Sequence, residues 1–98
     1  LQDIHWSMGA FGYFPTYTLG NMYAAQLLES MSEDLGDMDA LIRSGDWGAP
    51  LAWLKSRIHE RGSLLLPPAL IEEATGSPPT AAAFLRYIEG KYSRLYGL

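Results

Sequence analysis

Three observations on the 98-residue sequence predict an all-α fold, a small bundle of about four to five helices in one domain, residues 1–98. Apolar residues recur at three- and four-residue spacing in several separate stretches, the period of a helix with one face turned to a core. Glycine and proline punctuate the chain between those stretches, at the positions where helices start and stop. Hydrophobic residues make up 48% of the chain and charged ones 18%, the reverse of the balance that keeps a chain disordered. The helices occupy residues 15–98; residues 1–14 precede them as a loop.

Up to Phe14 no period of two or of 3.6 is sustained, and Gly9 and Gly12 interrupt, so a loop is expected, with a short extended piece at residues 2–6. Pro15 suits the first helical position, where its missing N–H costs nothing. Leu19, Met22, Tyr23, Gln26, Leu27 and Met31 then predict a helix of about four turns. The small pair Ala24-Ala25 lies on its other side, so both sides are expected to be buried. Glu29, Glu33 and Asp34 read as a solvated helix end. Gly36 interrupts, Asp37 is placed to cap a short helix through Arg43, and Gly45 closes it.

Asp46 is the next cap candidate. Trp47, Leu51, Leu54 and Ile58 mark one face of a helix running to about residue 60, with Gly62 as terminator. Leu64-Leu65-Leu66-Pro67-Pro68 forms a stop and a turn with three apolar side chains to bury. A short helix spans about residues 68–73 and ends at Thr75-Gly76. After the Ser77-Pro78-Pro79-Thr80 hinge, residues 81–96 carry Phe84, Leu85, Ile88, Tyr92 and Leu95 on one stripe. Gly90 weakens that helix by about 1 kcal/mol relative to alanine. Trp47, Trp53, Tyr92, the methionines and the leucine run read as core or inter-domain packing residues.

The net charge of −4, with scattered Lys and Arg, argues against nucleic acid as a partner. The longest apolar runs are far too short to span a membrane. There is no cysteine, hence no disulfide framework and no thiolate metal site, which fits a cytoplasmic protein. No signal peptide is visible, although a chain that starts inside a motif would not display one.

Chemistry concentrates in the first 21 residues. Gln2, Asp3, His5, Trp6, Tyr13 and Tyr17 combine apolar area with placed polar atoms, as a ligand site requires. From the residues alone, His5 has two readings of equal standing. It either orders the loop through Asp3 or a backbone carbonyl beneath Trp6, or it points into a cleft with Asp3 fixing its tautomer. Tyr13 and Tyr17, four residues apart, can equally be aromatic core. His59-Glu60 opens a zinc-type pattern, but Ser63 stands where the second histidine would be and Gly62 ends the helix first. His59 is better explained as a cation at the negative end of a helix dipole.

Gln2-Asp3-x-His5-Trp6, followed by Gly12-Tyr13-Phe14-Pro15-Thr16-Tyr17-x-Leu19-Gly20-Asn21, resembles the late motifs of the carboxypeptidase Taq family, zinc metallocarboxypeptidases of the HExxH class. The family's G-x-x-Q-D-x-H-W motif would place its leading glycine before Leu1. The tail, Lys91-Tyr92-Ser93-Arg94-Leu95-Tyr96-Gly97-Leu98, is similar to the family's C-terminal end. The resemblance covers essentially the whole chain and implies the last fifth or so of a larger, mainly helical peptidase. It implies that residues 1–14 line the substrate cleft, with Gln2, Asp3, His5 and Tyr13 facing substrate.

By the same resemblance, His5 and a downstream tyrosine stand opposite the metal and donate to the forming oxyanion. Tyr17 is favoured over Tyr13, a phenol being a neutral donor to developing negative charge. None of these residues is a metal ligand in the family. Zinc or another divalent metal belongs to the intact enzyme, and this chain alone is expected to bind none and to be inactive. The HExxH helix and the rest of the catalytic part are expected upstream. Peptides are the implied substrates, and a homodimer is compatible with the family. The alternative is a stand-alone, non-catalytic helical interaction module of the same ancestry.

Overall fold

A computed structural model of the chain describes residues 3–98, which form five α-helices and one short 3₁₀ turn, with no strand among the described residues. α1 spans Pro15–Leu35, α2 Met38–Ser44, α3 Gly48–Arg57, α4 Pro67–Thr75 and α5 Ala82–Tyr96, with the 3₁₀ turn His59–Arg61 after α3. The all-α expectation holds.

α1 starts with Pro15 at its first turn and stops at Gly36, as local chemistry dictates. At 21 residues it is nearly six turns long, about 31 Å at 1.5 Å per residue, and outruns the expected four. Three helix stops use a left-handed glycine, Gly97 at φ 67° after α5 being one. Gly45 at φ 76° closes α2, and Gly76 at φ 77° closes α4. Asp37 caps α2 by accepting from the Ala40 N–H at 3.0 Å, and Asp46 accepts from the Gly48 N–H at 3.1 Å to open α3. α3 proper ends at Arg57, earlier than its apolar pattern suggested, because the chain tightens into 3₁₀ geometry before Gly62.

α1 is the common strut, and α3, α4 and α5 all pack against it. The core is small: Met31 of α1, Trp53 of α3, Ile71 and Ala74 of α4, and Ala83 of α5 are buried. The Cα radius of gyration is 16.2 Å, against about 13 Å for a compact chain of this length. The helices thus form an open arrangement with one packed side.

Three polar links tie the helices to α1. The Gln26 side chain, 4% exposed, projects into the turn between α4 and α5. Its Oε1 accepts from the Thr80 N–H at 3.1 Å. Its NH₂ lies 3.0–3.2 Å from Thr75 Oγ1, both oxygens of Ser77, and the Pro78 carbonyl. Two hydrogens face four acceptors, so every donor of the amide is satisfied. Asp34 accepts from Trp53 Nε1 at 2.7 Å and from Arg57 Nη2 at 3.1 Å, while Arg57 Nη1 reaches the Ala74 carbonyl at 3.1 Å. Glu29 receives a two-pronged bond from Arg86 of α5, at 2.8 and 2.6 Å. Glu29 and Asp34 are therefore inter-helix anchors, which corrects their reading as a solvated helix end.

Other expectations are also corrected. Residues 15–21 of α1 are exposed all round, so this helix is not buried on both sides. On α3, Pro50 and Trp53 face the core, whereas Trp47 and Leu51 are exposed. On α5, Leu85, Tyr92 and Leu95 are exposed and Ala83 is buried, because close approach to α1 needs a small residue. Leu64 and Leu66 are exposed and only Leu65 is partly covered. The extended piece expected at residues 2–6 is, from Ile4 onward, a turn.

Candidate functional site

The loop before α1 is two consecutive turns whose local bonds bring sequence-distant aromatics together. The Met8 N–H donates to the Ile4 carbonyl at 3.0 Å and the Ala10 N–H to the His5 carbonyl at 2.8 Å. Gly9, at φ 78°, then turns the chain where a side chain would be strained. The Tyr13 N–H donates to the Ala10 carbonyl at 3.3 Å, and Thr16 Oγ1 donates to the Tyr13 carbonyl at 2.6 Å. This second turn runs into the first turn of α1, so Tyr13 and Tyr17 share one face at i, i+4 spacing.

Asp3, His5, Tyr13 and Tyr17 come together. His5 Nδ1 is hydrogen-bonded to the Asp3 carboxylate. Donation from Nδ1–H to that carboxylate leaves Nε2 of the neutral ring as an acceptor directed away from Asp3. The imidazole is stacked on the Tyr13 ring, with centroids 4.1 Å apart and planes 20° from parallel. The Tyr13 and Tyr17 hydroxyl oxygens are 3.0 Å apart, and their rings meet edge to face at 5.6 Å. Gln2 lies outside the described residues.

The Tyr17 phenol is held above its ordinary pKa. The main cause is its hydrogen bond with Tyr13; that neighbour's charge, partial desolvation and the Asp3 carboxylate add to it. Tyr17 thus keeps its proton at neutral pH. Two neutral phenols carry two hydroxyl hydrogens, and their mutual bond uses one. The pair can direct the other at a third group, which makes it a neutral hydrogen-bond donor at the protein surface.

Sequence reasoning missed Phe14. Its ring sits 5.0 Å from His5 and 5.6 Å from Tyr13, edge-on to both, and steadies the stack. The available signal was its place between two candidate residues in an aromatic run. In the same short stretch Ile4, Trp6, Met8 and Phe11 are each more than 60% exposed. Among the described residues no group of three or more His, Asp or Glu side chains is placed to hold a metal ion. His59 is exposed in the 3₁₀ turn. No described helix is long and apolar enough to cross a membrane.

Residues 1–92 match the sequence model of the carboxypeptidase Taq (M32) metallopeptidase family. Thermostable carboxypeptidase 1 of Thermus thermophilus is 47% identical over 97 residues, taking in 99% of this chain and 19% of that protein. Carboxypeptidase 1 of Bacillus subtilis is 45% identical over 96 residues, 98% of this chain and 19% of its own length. Among solved structures, metallocarboxypeptidase 1 of Trypanosoma cruzi superposes with a TM-score of 0.87 at 44% identity, covering 93% of this chain and 19% of that one. The helices correspond to the C-terminal part of such carboxypeptidase structures. The chain spans about a fifth of the length of the relatives it matches. With the motifs at residues 2–21, the five-helix arrangement and these matches in agreement, the chain belongs to the carboxypeptidase Taq metallopeptidase family.

Proposed function

We infer that this chain works as the C-terminal helical segment of a metal-dependent carboxypeptidase that releases single residues from peptide C-termini. Its residues form the non-metal wall of the substrate cleft. Tyr17 donates to the oxygen of the scissile carbonyl as that oxygen becomes an oxyanion, Tyr13 orients the Tyr17 hydroxyl, and His5, held by Asp3, faces the peptide together with Gln2. The observation that carries this reading is the paired hydroxyls of Tyr13 and Tyr17, neutral and exposed, beside the stacked His5. A preorganised neutral donor acts where negative charge develops during reaction and needs no reorganisation at that moment.

In this reading the ligands of the family's metal, zinc or another divalent ion, lie in the remainder of the enzyme. The upstream catalytic part of the same protein is accordingly the first partner of this segment. The wide exposure of Ile4, Trp6, Met8 and Phe11 supports that partnership over a free-standing module, since four large apolar side chains exposed within eight residues call for a cover. A cytoplasmic location fits the cysteine-free sequence. The test is Tyr17→Phe in the intact enzyme, where kcat falls with little change in KM. Unchanged kcat in both Tyr17→Phe and Tyr13→Phe refutes the site.

A further inference from the structure

Three contacts hold the His5 imidazole. Nδ1 is bonded to the Asp3 carboxylate, the ring lies on Tyr13 at 4.1 Å between centroids, and the Phe14 ring meets it at 5.0 Å. Among the described residues Asp3 is its one hydrogen-bond partner, and 29% of the side chain stays exposed. A carboxylate can only accept, so Nδ1 carries the hydrogen and Nε2 of the neutral ring has only a lone pair to offer. Such a ring cannot donate to an oxyanion, and that task is left to the tyrosine pair. The imidazole lies on the ring whose hydroxyl holds Tyr17, so acceptor and donor stand side by side on one wall.

We propose that Asp3 is a positioning residue that makes His5 Nε2 the acceptor for a backbone N–H of the peptide, on the residue that carries the scissile carbonyl. The proposal rests on the cleft-wall reading of His5 and Tyr17 and adds the peptide atom that His5 recognises. In an extended chain the N–H and C=O of one residue point to the same side. A wall that offers a lone pair beside a hydroxyl hydrogen therefore pairs with both groups of a single residue, N–H to His5 and C=O to Tyr17. Neither bond involves a substrate side chain. The wall thus selects for an N–H at that one position, whatever side chain the residue bears.

The test uses the intact enzyme and two blocked dipeptides, identical except that an ester oxygen replaces the N–H of the residue carrying the scissile carbonyl. The scissile amide is the same in both. Wild type should favour the N–H peptide in kcat/KM by about 10-fold, the loss expected when a site's acceptor is left without its donor. His5→Phe keeps an aromatic ring on Tyr13 and removes the acceptor, and should bring that ratio down to about 1. Asp3→Asn frees the imidazole to take either tautomer and should lower the ratio by about 3-fold or more. Equal treatment of the two peptides by wild type, or a ratio that His5→Phe leaves unmoved, overturns the proposal. So does an Asp3→Asn enzyme that loses rate equally on both peptides, the result of a merely structural carboxylate. If Asp3→Asn does not fold, the His5→Phe ratio decides. Tyr17→Phe on the same peptides separates the two claims. Lost kcat there, with a ratio unmoved by His5→Phe, rejects only the acceptor role; unchanged kcat in both Tyr17→Phe and Tyr13→Phe rejects the site reading itself.

Discussion

The hydroxyl oxygens of Tyr13 and Tyr17 stand 3.0 Å apart across the entry of α1, one residue in the turn before the helix and the other inside it. Since their mutual bond uses one hydrogen, each tyrosine has a distinct consequence when it is replaced.

Tyr17→Phe keeps the ring against Phe14 and removes only the donor. In the intact enzyme kcat should fall about 10²-fold, the lower end for losing one oxyanion donor. KM should move little, because an interaction made only in the transition state lowers kcat and kcat/KM together. Steady-state kinetics with metal content and melting temperature as controls check this. Tyr13→Phe leaves Tyr17 its hydrogen and should cost less; a larger loss there moves the donor role to Tyr13.

Gln26 is the buried polar group on which the α4–α5 turn depends. Gln26→Leu removes the amide and leaves the Thr80 N–H and nearby carbonyls to find other partners. A loss of about 1–3 kcal/mol is expected, read as a lower denaturant midpoint at unchanged slope. Gln26→Glu keeps the acceptor for Thr80 but turns a buried carboxylate oxygen onto the Ser77 and Pro78 carbonyls, and should cost at least as much.

Trp53 combines buried area with an indole N–H to Asp34. Trp53→Ala should destabilise by about 3–5 kcal/mol. Trp53→Phe should cost less, because most of the apolar contact survives while the donor to a carboxylate is lost. Denaturation monitored by far-UV circular dichroism measures both without relying on the tryptophan signal.

Glu29 is held below the ordinary carboxylate range, chiefly by its hydrogen bonds from Arg86, against a smaller opposing effect of burial. A depressed folded value means the pair adds stability above the unfolded pKa of about 4.3, and that stability is lost as pH falls through the folded value. Both side chains are substantially exposed, at 41% and 58%, so the contribution is small and falls with added salt. Wild type should therefore exceed Glu29→Gln in melting temperature at pH 7, and the gap should shrink as pH falls below the unfolded value and through the lowered folded one.

Alone, the 98-residue chain should bind no zinc tightly, hydrolyse no peptide and self-associate through the apolar surface around Trp6 and Phe11. Sedimentation and metal analysis check these points. A clean monomer, or stoichiometric zinc at about 2 Å from two or more side chains, would contradict them.

What was legible in the sequence was local. Pro15, Asp37, Gly45 and Gly76 act within a few residues of themselves, so cap and stop chemistry located every helix to within a few residues. The proximity of His5, Tyr13 and Tyr17 was likewise within reach, being built by turns inside one short stretch. Contacts across 17 to 57 residues were not. Nothing near Gln26 marks it as the partner of Ser77 and Thr80, and nothing near Asp34 announces Trp53. Periodicity identified apolar stripes on α3 and α5 but could not tell that Trp53 faces inward while Trp47 does not. An apolar residue in one segment of a larger protein has two possible covers, its own bundle or the rest of the chain.

Within this segment α1 is held over its later half, where α3, α4 and α5 grip it, while residues 15–21, Tyr17 among them, are exposed. Mechanically it is a cantilever. Tyr17 projects from it nine residues, about 14 Å, beyond the Gln26 clamp. A tilt of about 5° at the clamp swings that end by roughly 1.2 Å, and misplacement of about 1 Å is enough to cost on the order of 10²-fold in rate. Substitutions in the Ser77–Thr80 turn, which touches no aromatic of the cleft, would then register in turnover before they register in melting temperature.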